Sequence, residues 1–151
     1  MKKVIILILL MLGFATYTFA AGSSNITFFD VIKDKKTMTI SWIADASNAT
    51  VPDLTIDASL YELKGWYLYS AETDPGGIAP TDNYDIVLNN TNGIDVAGGL
   101  LANRDISTTE MVNISSSAFG YPIVRGDLTF SLSNNATNSA TGILILIFVP
   151  E

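Results

Sequence analysis

Apolar and polar positions alternate with a period of two along most of this chain. Between Pro80 and Asp105 the alternation is clearest: Tyr84, Ile86 and Leu88 fall on one face of a strand, Asp85 and Val87 on the other, because successive side chains cross the pleat. Asn90-Thr91-Asn92-Gly93 follows and supplies residues that tolerate the positive φ of a short hairpin. Ile94-Asp95-Val96 resumes the alternation until Gly98-Gly99 breaks it. The stretch is expected to form a strand, a tight reversal, a second strand and a polar loop.

Other segments read the same way. Ile26, Phe28, Phe29, Val31 and Ile32 predict a first strand closed by a Lys33-Asp34-Lys35-Lys36 turn. Thr37–Ala44 places Met38, Ile40 and Trp42 on one face against Thr37, Thr39 and Ser41, the pattern of a strand with one wet side. Leu54–Leu63 fits both a strand (Leu54, Ile56) and a helical turn (Leu60, Leu63). Gly65–Ala71, rich in aromatics, reads as a strand that Asp74-Pro75-Gly76-Gly77 ends. Thr109–Ile114 and Leu128–Leu132 predict two more, with Asp45–Val51, Ser115–Gly120 and Asn134–Thr141 as loops.

Gly142–Pro150 carries seven consecutive apolar residues, Ile143 to Val149. A run apolar on both faces predicts a central strand covered on each side, with Ile145 in the core. About eight strands without convincing 3.6-residue periodicity predict an all-β fold: a single antiparallel β-sandwich, jelly-roll or immunoglobulin-like, over residues 21–151.

Met1–Ala20 departs from this pattern. Lys2-Lys3, the apolar Val4–Phe14 and the exit Thr18-Phe19-Ala20 have the layout of a hydrophobic signal helix cleaved on export. The alternative is an anchor, although the strongly apolar part is shorter than the ~20 residues a spanning helix needs. Membrane contact is expected only through this segment during export.

Composition then narrows the chemistry. The 151 residues include no cysteine and no histidine. Disulfides, thiolate nucleophiles, Ser-His-Asp catalysis and most zinc sites are thereby excluded. The net charge of −7 and pI near 4.3 disfavour nucleic acid as a partner.

Four acidic residues of the central stretch, Asp82, Asp85, Asp95 and Asp105, are candidate calcium ligands, since calcium takes clustered oxygens from loops. Their spacing matches no regular calcium loop, and Asp is also an ordinary turn-capping residue. The same carboxylates could form the acid pair of a calcium-dependent hydrolase, Asp82 with Asp85 or Asp95 with Asp105, but no sequence feature points to a raised pKa or a cleft. No catalytic residue and no cofactor is assigned. Gly93, Arg104 and Asp105 are expected to be structural, Arg104 tying loops through a carboxylate such as Asp85.

Trp66, Tyr67 and Tyr69 are a candidate sugar-stacking platform, although alternation sends one pair, Trp66/Leu68 or Tyr67/Tyr69, into the core. Five Asn-x-Ser/Thr sequons begin at Asn25, Asn48, Asn89, Asn113 and Asn135; they matter only in a host that glycosylates.

The strings Thr81-Asp82-Asn83-Tyr84-Asp85-Ile86-Val87-Leu88, Asn92-Gly93-Ile94-Asp95-Val96 and Ala102-Asn103-Arg104-Asp105, with Gly126–Asn134 later on, resemble a family of small structural proteins encoded among the virion genes of tailed bacteriophages and prophages. The resemblance runs from about Asp74 to the C-terminus. It implies a non-enzymatic virion component, head- or tail-associated, that packs against other subunits as a homo- or hetero-oligomer. It brings no catalytic residues. The alternative expectation is an exported surface or periplasmic β domain that binds a glycan or a protein partner.

Overall fold

In three dimensions the alternation becomes alternating burial. The structure is a computed structural model that describes residues 20–114 and 120–150. The signal-like segment, Ala20 apart, lies outside the described residues, as does most of the Ser115–Gly120 loop. Eight strands form: β1 (Ser23–Ile32), β2 (Lys35–Ile43), β3 (Leu54–Ile56), β4 (Trp66–Pro75), β5 (Asp85–Asn90), β6 (Glu110–Asn113), β7 (Leu128–Ser133) and β8 (Thr141–Pro150). They make two antiparallel sheets, one in the order β1-β2-β8-β4-β6 and the other β3-β7-β5. The described residues contain no α-helix, and none that is long and apolar enough to cross a membrane.

Both sheets contribute to one hydrophobic cluster. Met38, Ile40 and Trp42 of β2 and Leu144, Leu146 and Phe148 of β8 come from the larger sheet; Ile86 and Leu88 of β5 and Leu128 and Phe130 of β7 come from the smaller. Tyr84, Ile86 and Leu88 are all buried on one face, as their spacing requires. Side chains of this size contribute about 1.5–3 kcal/mol each on burial, so this shared cluster is what holds the sheets together.

The last strand is central, between β2 and β4, but the described residues bury only one of its faces. Leu144, Leu146 and Phe148 are inaccessible, whereas Ile143, Ile145, Ile147 and Val149 remain partly exposed. Ile145 is therefore not a core residue. Its neighbours in register are Thr39 of β2 and Glu72 of β4, side chains of an open face rather than of a second interior layer.

Three local expectations are also corrected. The first turn is shorter than Lys33–Lys36: Lys35 and Lys36 already belong to β2, and Lys36 is 3% exposed. The period of two puts Lys36 on the same face as Met38. Its ammonium donates to the Tyr61 carbonyl at 3.3 Å and to that of Glu62, lies 4.0 Å from the exposed Glu62 carboxylate, and sits 4.4 Å from the Trp66 ring centroid. Leu54–Leu63 resolves into β3 and one isolated turn. Asp57 Oδ1 opens it by accepting from the Ser59 and Leu60 amides at 2.8 and 2.9 Å. Glu62, at φ 50°, ends it before a helix can continue, with Leu63 buried and Leu60 exposed.

The third concerns the reversal after β5. Asn90 and Ile94 close it, with the Asn90 amide donating to Ile94 O at 2.9 Å and Gly93 at φ 75°. The expected second strand shrinks to a single bridge between Asn89 and Asp95. Asp95 stops it: Oδ1 accepts from the Leu88 and Ala97 amides at 3.2 and 3.0 Å, and Oδ2 from Gly99 at 2.7 Å. The chain curls around that carboxylate instead of extending, and the β5 edge is covered further on by Ile86 N donating to Leu101 O and Arg104 N donating to Tyr84 O.

Candidate functional site

The four candidate acidic ligands go to separate tasks. Asp82 accepts from the Asn83 amide at 3.1 Å. Asp85 accepts from the Asn103 amide at 2.7 Å and from the Asn134 side chain, which fastens the loop after the reversal to the end of β7. Asp95 is spent on backbone amides of β5 and of its own loop. Asp105 Oδ1 accepts from the amide and hydroxyl of Ser107 at 2.6 and 2.8 Å and from the Thr108 amide at 2.8 Å. Those bonds, led by the Ser107 amide, hold the Asp105 carboxyl below the usual carboxylate range. Asp45 and Asp57 are lowered in the same manner, by Ser47 and by Leu60 with Ser59 respectively. Among the described residues no three acidic side chains converge on one point.

Arg104 ties the loop, but not to Asp85. Its Nε and Nη2 donate to the Ala102 carbonyl at 3.2 and 3.0 Å, and Nη1 lies 3.6 Å from Glu110 Oε2. Glu110 Oε2 also accepts from the Asp105 amide at 2.8 Å. The guanidinium thus spans the loop and the start of β6.

The aromatic segment of β4 divides differently from a simple pairing. Leu68 is buried, and a register shift between Leu68 and Ser70 leaves Tyr69 40% exposed. Trp66 packs on the core beside Lys36 and takes no part in an exposed platform. A third tyrosine, Tyr121, completes the patch. Its ring stacks on Tyr69 with centroids 5.5 Å apart and planes inclined 13°, and meets Tyr67 edge-on at 6.5 Å. The chain holds it there by pairing beside β4: Leu68 N donates to Pro122 O at 3.1 Å and Val124 N to Trp66 O at 2.8 Å. No sequence pattern ties Tyr121 to Tyr69, because the contact depends on that long-range pairing.

Next to this patch lies an open cleft of about 470 Å³. Its lining comes from two segments, the β5 reversal with Asn90, Asn92 and Ile94, and the stretch after Gly120 with Tyr121 and Arg125. Asn90 Oδ1 is occupied by the Asn92 and Ile94 amides at 2.9 and 3.1 Å, which fixes the side chain and leaves Nδ2 available. The exposed Arg125 has neither an ion pair nor a hydrogen bond among the described residues. Among the described residues no carboxylate lines the cleft.

Comparison with protein families, with curated proteins and with solved structures gives no match for this chain.

Proposed function

We propose that the chain is a non-enzymatic structural subunit, a β-sandwich of jelly-roll or immunoglobulin-like type, and that it works by packing the open face of its five-stranded sheet against other virion subunits. The observation that carries this reading is the row Ile143, Ile145, Ile147 and Val149, partly exposed in the middle of a sheet. Phe28 of β1 and Met111 of β6 extend it, at 53% and 65% exposure. Exposed apolar rows of this kind mark contact surfaces. Strands spaced ~4.8 Å apart and rising ~3.3 Å per residue give this face an area of roughly 700 Å², close to the ~800 Å² each partner contributes to a standard interface.

The virion assignment rests on the resemblance carried by Thr81–Leu88, Asn92–Val96 and Ala102–Asp105. The absence of histidine and cysteine supports a non-enzymatic role, as does the use of Asp82, Asp85, Asp95 and Asp105 to build turns. Mass spectrometry of purified particles tests the reading. The expected result is the chain in stoichiometric amount, beginning after Ala20; its absence from particles would overturn it.

A further inference from the structure

We propose that the cleft between the β5 reversal and Tyr121–Arg125 is a binding site for an acidic saccharide, a pyranose bearing a carboxylate. Three features of the site converge on that chemistry. The exposed Tyr121 ring is held in orientation by stacking on Tyr69, and a fixed aromatic is the surface on which the C–H face of a sugar ring packs. Asn90 and Asn92 also line the cleft, and side-chain amides suit hydroxyl groups that both donate and accept. Arg125 brings an uncommitted guanidinium, whose planar fork matches a carboxylate with two parallel hydrogen bonds.

Charge makes the selection for an acid. The chain carries −7 overall, yet among the described residues this cleft is lined by one cation and no carboxylate. A neutral sugar would leave the guanidinium without its best partner; a carboxylate-bearing sugar satisfies it. The volume of about 470 Å³ falls within the ~300–1,000 Å³ of small-molecule sites and is too small for a folded partner. Preorganisation also favours binding: Asn90 is pinned by its two backbone bonds and Tyr121 by its neighbour, so little side-chain freedom is lost.

Titration of the ¹⁵N-labelled full chain with trigalacturonate, followed by NMR, tests the site, with cellotriose as neutral probe and sodium acetate as bare carboxylate. Trigalacturonate should give saturable shifts at Asn90–Ile94 and Tyr121–Arg125 that weaken as salt is raised. Cellotriose and acetate should each bind at least tenfold more weakly. Arg125→Gln and Tyr121→Ala, whose spectra elsewhere should match the parent because both side chains are exposed, should each lower the affinity at least tenfold. The proposal is overturned if trigalacturonate gives no saturable shift at tens of millimolar. Equal affinity for cellotriose overturns it too, as does acetate alone reproducing the affinity, or Arg125→Gln binding like the parent.

Discussion

Trp42 and Tyr84 meet ring to ring between the two sheets, their centroids 5.9 Å apart and their planes inclined at 56°. Trp42 comes from β2 of the larger sheet and Tyr84 from the residue before β5 of the smaller, and both are essentially inaccessible. The pair joins the two sheets at the apolar centre of the molecule. Among the described residues neither the indole Nε1 nor the phenol oxygen has a hydrogen-bond partner of good geometry.

Room for the Trp42 ring depends on Gly142, its partner in register across the β2–β8 pair. A Cβ at Gly142 would overlap the six-membered ring of Trp42 and approach the Asp74 carbonyl at 3.1 Å. Gly142→Ala is expected to destabilise the fold by about 1–3 kcal/mol through overpacking, read as a lowered midpoint in chemical denaturation. Substitution at Gly77, which has open space around it, should leave the midpoint unchanged.

Burial pushes the Tyr84 phenol up to about 12, against the opposing pull of Arg104. A phenol that resists ionisation in the folded state loses stability as the unfolded chain ionises. The contribution is complete below pH ~10, the ordinary tyrosine value, and is lost as the pH rises from there through about 12. The loss amounts to at most about 2–3 kcal/mol at ~1.4 kcal/mol per unit. Tyr84→Phe removes both the ionisation and the unpartnered hydroxyl, so it should be neutral or stabilising at pH 7. It should also fall off less steeply than the parent in denaturation between pH 10 and 12.

Within the β5 reversal, Gly93→Val should cost more than Asp85→Asn. The Gly93 φ of 75° lies where a β-branched residue is strained, at a cost of about 1–3 kcal/mol. Asn at position 85 can still accept from the Asn103 amide, and the Asn134 amide can turn to meet it. Melting temperatures of the two variants, with and without calcium, check the order. A calcium-dependent rise in stability lost in Asp85→Asn would contradict a purely structural role for that carboxylate.

Much of this arrangement was legible in the sequence, because a period of two is enough to sort inside from outside. Met38, Ile40 and Trp42, and likewise Tyr84, Ile86 and Leu88, are buried as their spacing requires. The misreadings fall where another force overrides pattern. Lys36 reads as turn because lysine is charged, yet its stem crosses the inner face and its ammonium finds carbonyls and the Trp66 ring at the core's end. Ile94-Asp95-Val96 alternates like a strand, but the Asp95 carboxylate collects three backbone amides and bends the chain. In β8 the run Ile143–Val149 is apolar throughout, and no local signal distinguishes a buried face from an open one. Tyr121 and Arg125 join Asn90 and Asn92 only through long-range pairing, which periodicity cannot report.

The buried lysine itself gives a prediction. Lys36→Ala removes the cation over Trp66 and leaves the Tyr61 and Glu62 carbonyls without their donor, at a cost of about 1–3 kcal/mol. Lys35→Ala, one residue away on the exposed side, should change stability by less than about 0.5 kcal/mol. Urea denaturation of the two variants makes the comparison.

The open face of the five-stranded sheet is tested most directly by particle incorporation of Ile145→Asp, with Leu146→Asp as the control for folding. Leu146 is fully buried, so an aspartate there places an unpaired charge in the core, costing several kcal/mol of a total of ~5–15, and that variant should not fold. Ile145 points to the open face, so Ile145→Asp should stay folded, with a Tm only a few degrees below the parent for a cost of about 1 kcal/mol. The predicted result is a folded Ile145→Asp chain missing from purified particles. Its incorporation at the parental stoichiometry would contradict the assignment of this face as a subunit contact.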